Sequence, residues 1–128
     1  VLYEIDNLQR QIFTDGRTLP KEMNLPAYLG YSVGRWERDT FVVESAGFND
    51  KTRLDTMGHI HSEALRVTER FRRRDFGHLD VEMTFDDPQT YTRPFTIKVP
   101  HELLADADIF EMRCNENEKD RIHLLPKE

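Results

Sequence analysis

Between Leu65 and Phe85 apolar and charged residues alternate almost one by one. Leu65, Val67, Glu69 and Phe71 fall on one parity and Arg66, Thr68, Arg70 and Arg72 on the other. The alternation resumes beyond Arg74-Asp75-Phe76-Gly77-His78, with Val81, Met83 and Phe85 against Asp80, Glu82 and Thr84. Successive side chains of a strand point to opposite faces, so the pattern predicts a hairpin with one apolar and one charged face. A positive φ at Gly77 would close a three-residue loop with a bulge, pairing Arg74 with His78. Counting outward puts Arg72 opposite Asp80, Arg70 opposite Glu82, Thr68 opposite Thr84, Phe71 opposite Val81, Glu69 opposite Met83 and Val67 opposite Phe85. A slip of one residue would turn both faces over, so the register is strongly specified.

Carried upstream, the inward parity takes in Glu63, His61 and His59, so the stretch from Gly58 is expected to pass from loop into strand with these three in one row. Further strands are expected at 1–5 and 10–14 around Asp6-Asn7, at 31–36 and 40–48 around Glu37-Arg38-Asp39, at 91–99 and at 109–115. A single helical turn fits at 52–57, inside a polar connection long enough to serve as a lid or a mouth. Pro94 and Pro100 bracket the 91–99 strand and mark an edge, a bulge or a gap in closure. About eight strands joined mostly by short turns predict an all-β fold, an antiparallel up-and-down barrel of the calycin or lipocalin kind. The expected organisation is one barrel domain over 1–128, with a charged tail at 116–128.

Charge narrows the partners. The net charge of −6 argues against nucleic acid as the main partner, and the basic run Arg70, Arg72, Arg73, Arg74 faces Asp80 and Glu82 in the predicted register. No apolar run approaches the ~20 residues of a membrane span. Cys114 is the single cysteine, which excludes an internal disulfide and reads as a small core residue. The chain opens inside a strand pattern without an initiator methionine, as a mature or trimmed product would.

Three groups of residues could carry chemistry. His59 and His61 would lie ~6.5–7 Å apart on one strand face with Glu63 continuing the row, the arrangement in which cupin-like barrels hold Fe, Mn, Zn or Ni. The competing reading is a polar strand entrance at a barrel mouth. Glu69, a carboxyl among apolar side chains, is a candidate general acid or base, with His61 beside it as a second catalytic candidate. Its structural alternative is a buried ion pair with Arg93 or Arg35. Asp50, Lys51, Asp55, His59, Tyr91 and Arg93 are expected to gather as ligand-binding groups at one mouth. There is no phosphate-binding Gly-rich loop, no G-x-S-x-G elbow and no CxxC pair, which excludes P-loop nucleotide hydrolysis and serine esterase chemistry of the elbow type.

The runs Gly34-Arg35-Trp36-Glu37-Arg38-Asp39-Thr40, Gly47-Phe48-Asn49-Asp50-Lys51-Thr52, the stretch 59–71, and Asp86-Asp87-Pro88 with Tyr91-Thr92-Arg93-Pro94 carry a resemblance. They resemble a family of uncharacterised bacterial proteins, often bearing a secretion signal, common in soil proteobacteria and acidobacteria. The chain departs from that family at Arg38, where glycine is frequent, and at Arg53, where tryptophan is frequent. The resemblance implies a periplasmic or secreted origin and no particular reaction.

The leading expectation is a barrel that binds a small, partly apolar organic molecule, without a cofactor. The alternatives are an enzyme on the same scaffold, using Glu69 or the His59, His61 and Glu63 row with or without a divalent transition metal, and an interaction module whose barrel is filled by side chains.

Overall fold

The computed structural model describes residues 1–3, 8–21 and 25–110. The backbone falls into two compact units, residues 1–10 with 106–128, and residues 11–105. In the first unit Leu2 and Gln9 form an antiparallel bridge. The Tyr3 N–H donates to the Leu8 carbonyl and the Arg10 N–H to the Val1 carbonyl, each at 2.9 Å. The expected turn at Asp6-Asn7 lies outside the described residues, as do Cys114 and the tail; of the strand expected at 109–115, only Ile109 and Phe110 are described, in irregular backbone.

The second unit is one sheet of six strands in sequential order: β1 (Ile12–Phe13), β2 (Tyr31–Glu37), β3 (Thr40–Ala46), β4 (Arg66–Arg73), β5 (His78–Asp86) and β6 (Phe95–Glu102). Only the β1–β2 pair is parallel. The fold is all-β as the alternation requires, and the described residues contain no helix, the turn expected at 52–57 included. Among the described residues no hydrogen-bonded ladder joins β6 to β1. Pro100 lies inside β6, opposite Asp80, and is tolerated because among the described strands β6 is an edge, where a missing N–H costs no ladder bond.

The β4–β5 hairpin has the predicted register at every pair, from Val67 with Phe85 to Arg72 with Asp80, and the Arg74 N–H donates to the His78 carbonyl at 3.0 Å. The turn is made differently from expectation. Gly77 is not among the residues with positive φ. Instead Asp75 Oδ1 accepts the Gly77 N–H at 2.9 Å and meets the His78 ring at 2.7 Å, so a side chain bends the backbone. In the β2–β3 hairpin Glu37 still pairs with Thr40, which leaves a two-residue loop in which Arg38 takes φ 56°.

One face of the sheet is apolar. Trp36 lies opposite Phe41, Phe41 opposite Phe71, Phe71 opposite Val81 and Val81 opposite Val99. Gly34 belongs to this face because the Phe41 ring and a methyl of Ile12 stand within 3 Å of where its Cβ would be. Glu69 sits in the same face between Val43 and Met83, 4% exposed, as the parity requires. The other face carries the charged residues, set around the buried side chains of Val33, Val42 and Ala46, and its ion pairs do not follow the β4–β5 register. Arg70 reaches Glu37 and Arg72 reaches Asp39, while Glu82 takes Lys98 from β6 and Asp80 takes Arg74. Arg35 also belongs here, bound to Glu37 and Glu44, so it is no partner for Glu69.

At the Asp86 end of β5 the core is Leu65, Val67 and Phe85, with Phe48, Leu54, Met83 and Phe95 packed on it. Burying each such side chain contributes ~1.5–3 kcal/mol. Phe48 and Leu54 come from the connection between β3 and β4, so this core pins that connection to the sheet.

Candidate functional site

The connection from Gly47 to Leu65 is shaped by side chains that bond its own backbone. Asn49, buried, accepts the Lys51 N–H on Oδ1 at 3.1 Å. Asp55 does more. Its Oδ1 accepts the N–H groups of Met57 at 3.0 Å and His59 at 3.2 Å, and its Oδ2 meets His59 Nδ1 at 2.6 Å. The Leu54 N–H closes the same loop on the His59 carbonyl at 2.8 Å, and Gly58 supplies the φ of 90° that lets the chain turn so tightly. The His59 hydrogen bond, with the backbone donors behind it, holds the Asp55 carboxyl below its ordinary range. Because a carboxylate only accepts, Nδ1 of His59 carries a proton and Nε2 is the nitrogen left for other business.

His59 and Asp55 form the polar side of a cleft of about 380 Å³, whose apolar walls are Leu54, Phe85, Phe95 and Ile97. Tyr91 completes it. The Tyr91 and Phe95 rings meet edge to face at 5.1 Å and the Phe95 and Phe85 rings stack at 5.1 Å. The Tyr91 hydroxyl donates to the Ile60 carbonyl at 2.8 Å, tying the β5–β6 connection to the residue after His59. Tyr91 is not in a strand as expected, since Pro94 ends the connection and β6 starts at Phe95.

The row of His59, His61 and Glu63 is not assembled. Residues 59–65 are not strand, β4 beginning only at Arg66, so the alternation that would align the three never operates. His61 turns inward instead, 6% exposed, with Phe48 edge-on at 6.1 Å. Its Nδ1 faces the Ser62 carbonyl at 3.1 Å and must donate, so Nε2 accepts from the Thr52 hydroxyl at 2.8 Å, and both nitrogens are engaged within the fold. Glu63 is exposed. Among the described residues no three His, Cys, Asp or Glu side chains converge as metal ligands.

Of the six expected ligand-binding residues the cleft brings together Asp55, His59 and Tyr91. Asp50, Lys51 and Arg93 are exposed and do not line it, and neither does Glu69, which lies within the apolar face of β4. The sequence reading missed Asp87. This carboxylate, 1% exposed, accepts the Ser62 N–H and the Ser62 hydroxyl, each at 2.7 Å, and the Gln89 N–H at 3.2 Å. Burial is the largest single influence and pushes its pKa up, but the donors from Ser62, Thr90 and Gln89 together outweigh it and hold the carboxyl below its ordinary range. The signal available in sequence was Asp87-Pro88-Gln89-Thr90, an Asp placed to cap its own turn.

Comparison of the chain with models of protein families, with curated proteins and with solved structures gives no match. The functional reading therefore rests on the cleft.

Proposed function

We propose that the chain binds a small, partly apolar organic molecule in the cleft between the Asp55–His59 loop and the Phe85, Phe95 and Tyr91 rings, on a sheet that closes as a calycin-like antiparallel barrel. The observation that carries this reading is the combination of an aromatic wall with one oriented imidazole. Ligand sites are characteristically apolar concavities with a few placed polar groups, and ~380 Å³ falls within the usual range. The test is titration with a neutral apolar fluorophore, N-phenyl-1-naphthylamine. Binding should weaken about tenfold in Phe95→Ala, the loss of one well-packed aromatic contact, and stay unchanged in Lys51→Ala, which is outside the cleft. Absence of binding, or indifference to Phe95→Ala, refutes the reading. Barrel closure is tested separately by hydrogen exchange: a closed sheet protects the β6 amides that point away from β5, whereas an open edge leaves them fast.

The Asp55–His59 pair favours one second reading, an enzyme in which a carboxylate orients an imidazole as general base. On that reading, turnover of a substrate bound in the cleft falls in His59→Gln while the fold is kept.

A further inference from the structure

The hydrogen-bonding sense of the cleft narrows the ligand class, given that the cleft is the binding site proposed above. Among the described residues three polar side chains line it, Asp55, His59 and Tyr91, and no lysine or arginine does. The Asp55 carboxylate can only accept, and its His59 contact keeps it ionised. His59 donates its Nδ1 proton to Asp55, so in its neutral form the ring offers the Nε2 lone pair. The Tyr91 hydroxyl has committed its proton to the Ile60 carbonyl and keeps only acceptor capacity. All three groups thus present lone pairs beside a wall of stacked rings.

We infer that the cleft selects flat, apolar molecules bearing a hydrogen-bond donor, a hydroxyl or an amino group, and rejects carboxylates of the same shape. A ligand donor fills the acceptor that each of these groups leaves open. A ligand carboxylate brings a further negative charge towards Asp55, finds no cation among the described lining residues, and leaves the Nε2 and Tyr91 lone pairs facing its own. His59 and Asp55 are about half-exposed, with side chains 57% and 43% accessible, so a matched donor gains one hydrogen bond over water, and a preference of about tenfold is the size expected.

The test uses three probes of one ring system at pH 8, where imidazoles are ordinarily neutral: 2-naphthol, naphthalene and 2-naphthoate, each by equilibrium dialysis against the intact chain. The expected order places 2-naphthol about tenfold or more above both others, with its advantage reduced in His59→Phe and in Tyr91→Phe; the second variant keeps the ring and guards against misfolding of the first. If 2-naphthoate or naphthalene binds as tightly as 2-naphthol and that binding is lost in Phe95→Ala, the cleft is a ligand site but the donor preference is wrong. If none of the three binds, or binding ignores Phe95→Ala, the donor preference and the proposed ligand site both fall.

Discussion

The Asp87 carboxylate accepts both the backbone N–H and the side-chain hydroxyl of Ser62, at 2.7 Å each, across 25 positions of sequence. This contact fastens the β5–β6 connection to the turn that precedes β4, and so sets the Tyr91 side of the cleft against the His59 side. Ser62 in turn accepts the Ala64 N–H on its hydroxyl at 3.1 Å, which bends the chain just before the strand begins.

Removing that carboxylate should cost stability in a pH-dependent way. Asp87→Ala leaves buried donors on Ser62 and is expected to destabilise the fold by ~2–3 kcal/mol at pH 7 in urea unfolding. Since the folded protein holds the Asp87 pKa below its ordinary value of 3.8, the contribution is complete above that value and disappears as pH falls through the lower, folded-state value. The gap between wild type and Asp87→Ala should therefore narrow on acidification below pH ~4. A gap that is constant or widens toward acid would show that the carboxylate is not the source.

The two histidines should separate cleanly. His61→Ala removes a buried ring bonded at both nitrogens, and a loss on the order of 2–3 kcal/mol is expected. His59→Ala, on an exposed loop, should leave the melting temperature nearly unchanged and weaken probe binding. Calorimetry beside the fluorophore titration decides it, and the reverse assignment would mean that His61 is the functional ring.

Glu69 is expected to behave as a buried, engaged carboxylate. It is 4% exposed, faces Val43 and Met83 across its two neighbouring strands, and has an interaction partner. Glu69→Ala should destabilise by ~3 kcal/mol or more, the usual consequence of removing one member of a buried polar contact. A change below 0.5 kcal/mol on chemical unfolding, the size typical of ~neutral surface substitutions, would show that the side chain contributes little there.

Arg38 offers a gain. Its φ of 56° is a conformation that L side chains pay for and glycine does not. The Arg38 side chain is exposed and Glu37–Thr40 pairing does not depend on it. Arg38→Gly should raise stability by up to ~1 kcal/mol after the extra unfolded-state entropy of glycine is subtracted. A loss on thermal unfolding would mean that the arginine makes a compensating contact.

The β4–β5 register was determined by the sequence alone, because two independent patterns, the apolar and the charged, demand the same pairing and a slip breaks both. The burial of Glu69 followed from the same parity. Which ion pairs form on the charged face was decided in three dimensions, since long arginine side chains reach past the strand next to them: Arg70 crosses β3 to Glu37 on β2, and Arg72 takes Asp39 in the β2–β3 loop, over the residues opposite them on β5. The start of β4 was also a tertiary decision. Parity counted back from Leu65 reaches His59, yet the strand begins at Arg66: Ser62 is held by a carboxylate 25 residues away and the chain turns at Glu63 and Ala64 before it can pair. In the irregular stretch before β4, His61 lies in the interior and His59 on Asp55 at the cleft. Local periodicity reports which side chains would share a face if a segment were extended; whether it is extended depends on hydrogen bonds from elements far away in the chain, which periodicity does not contain.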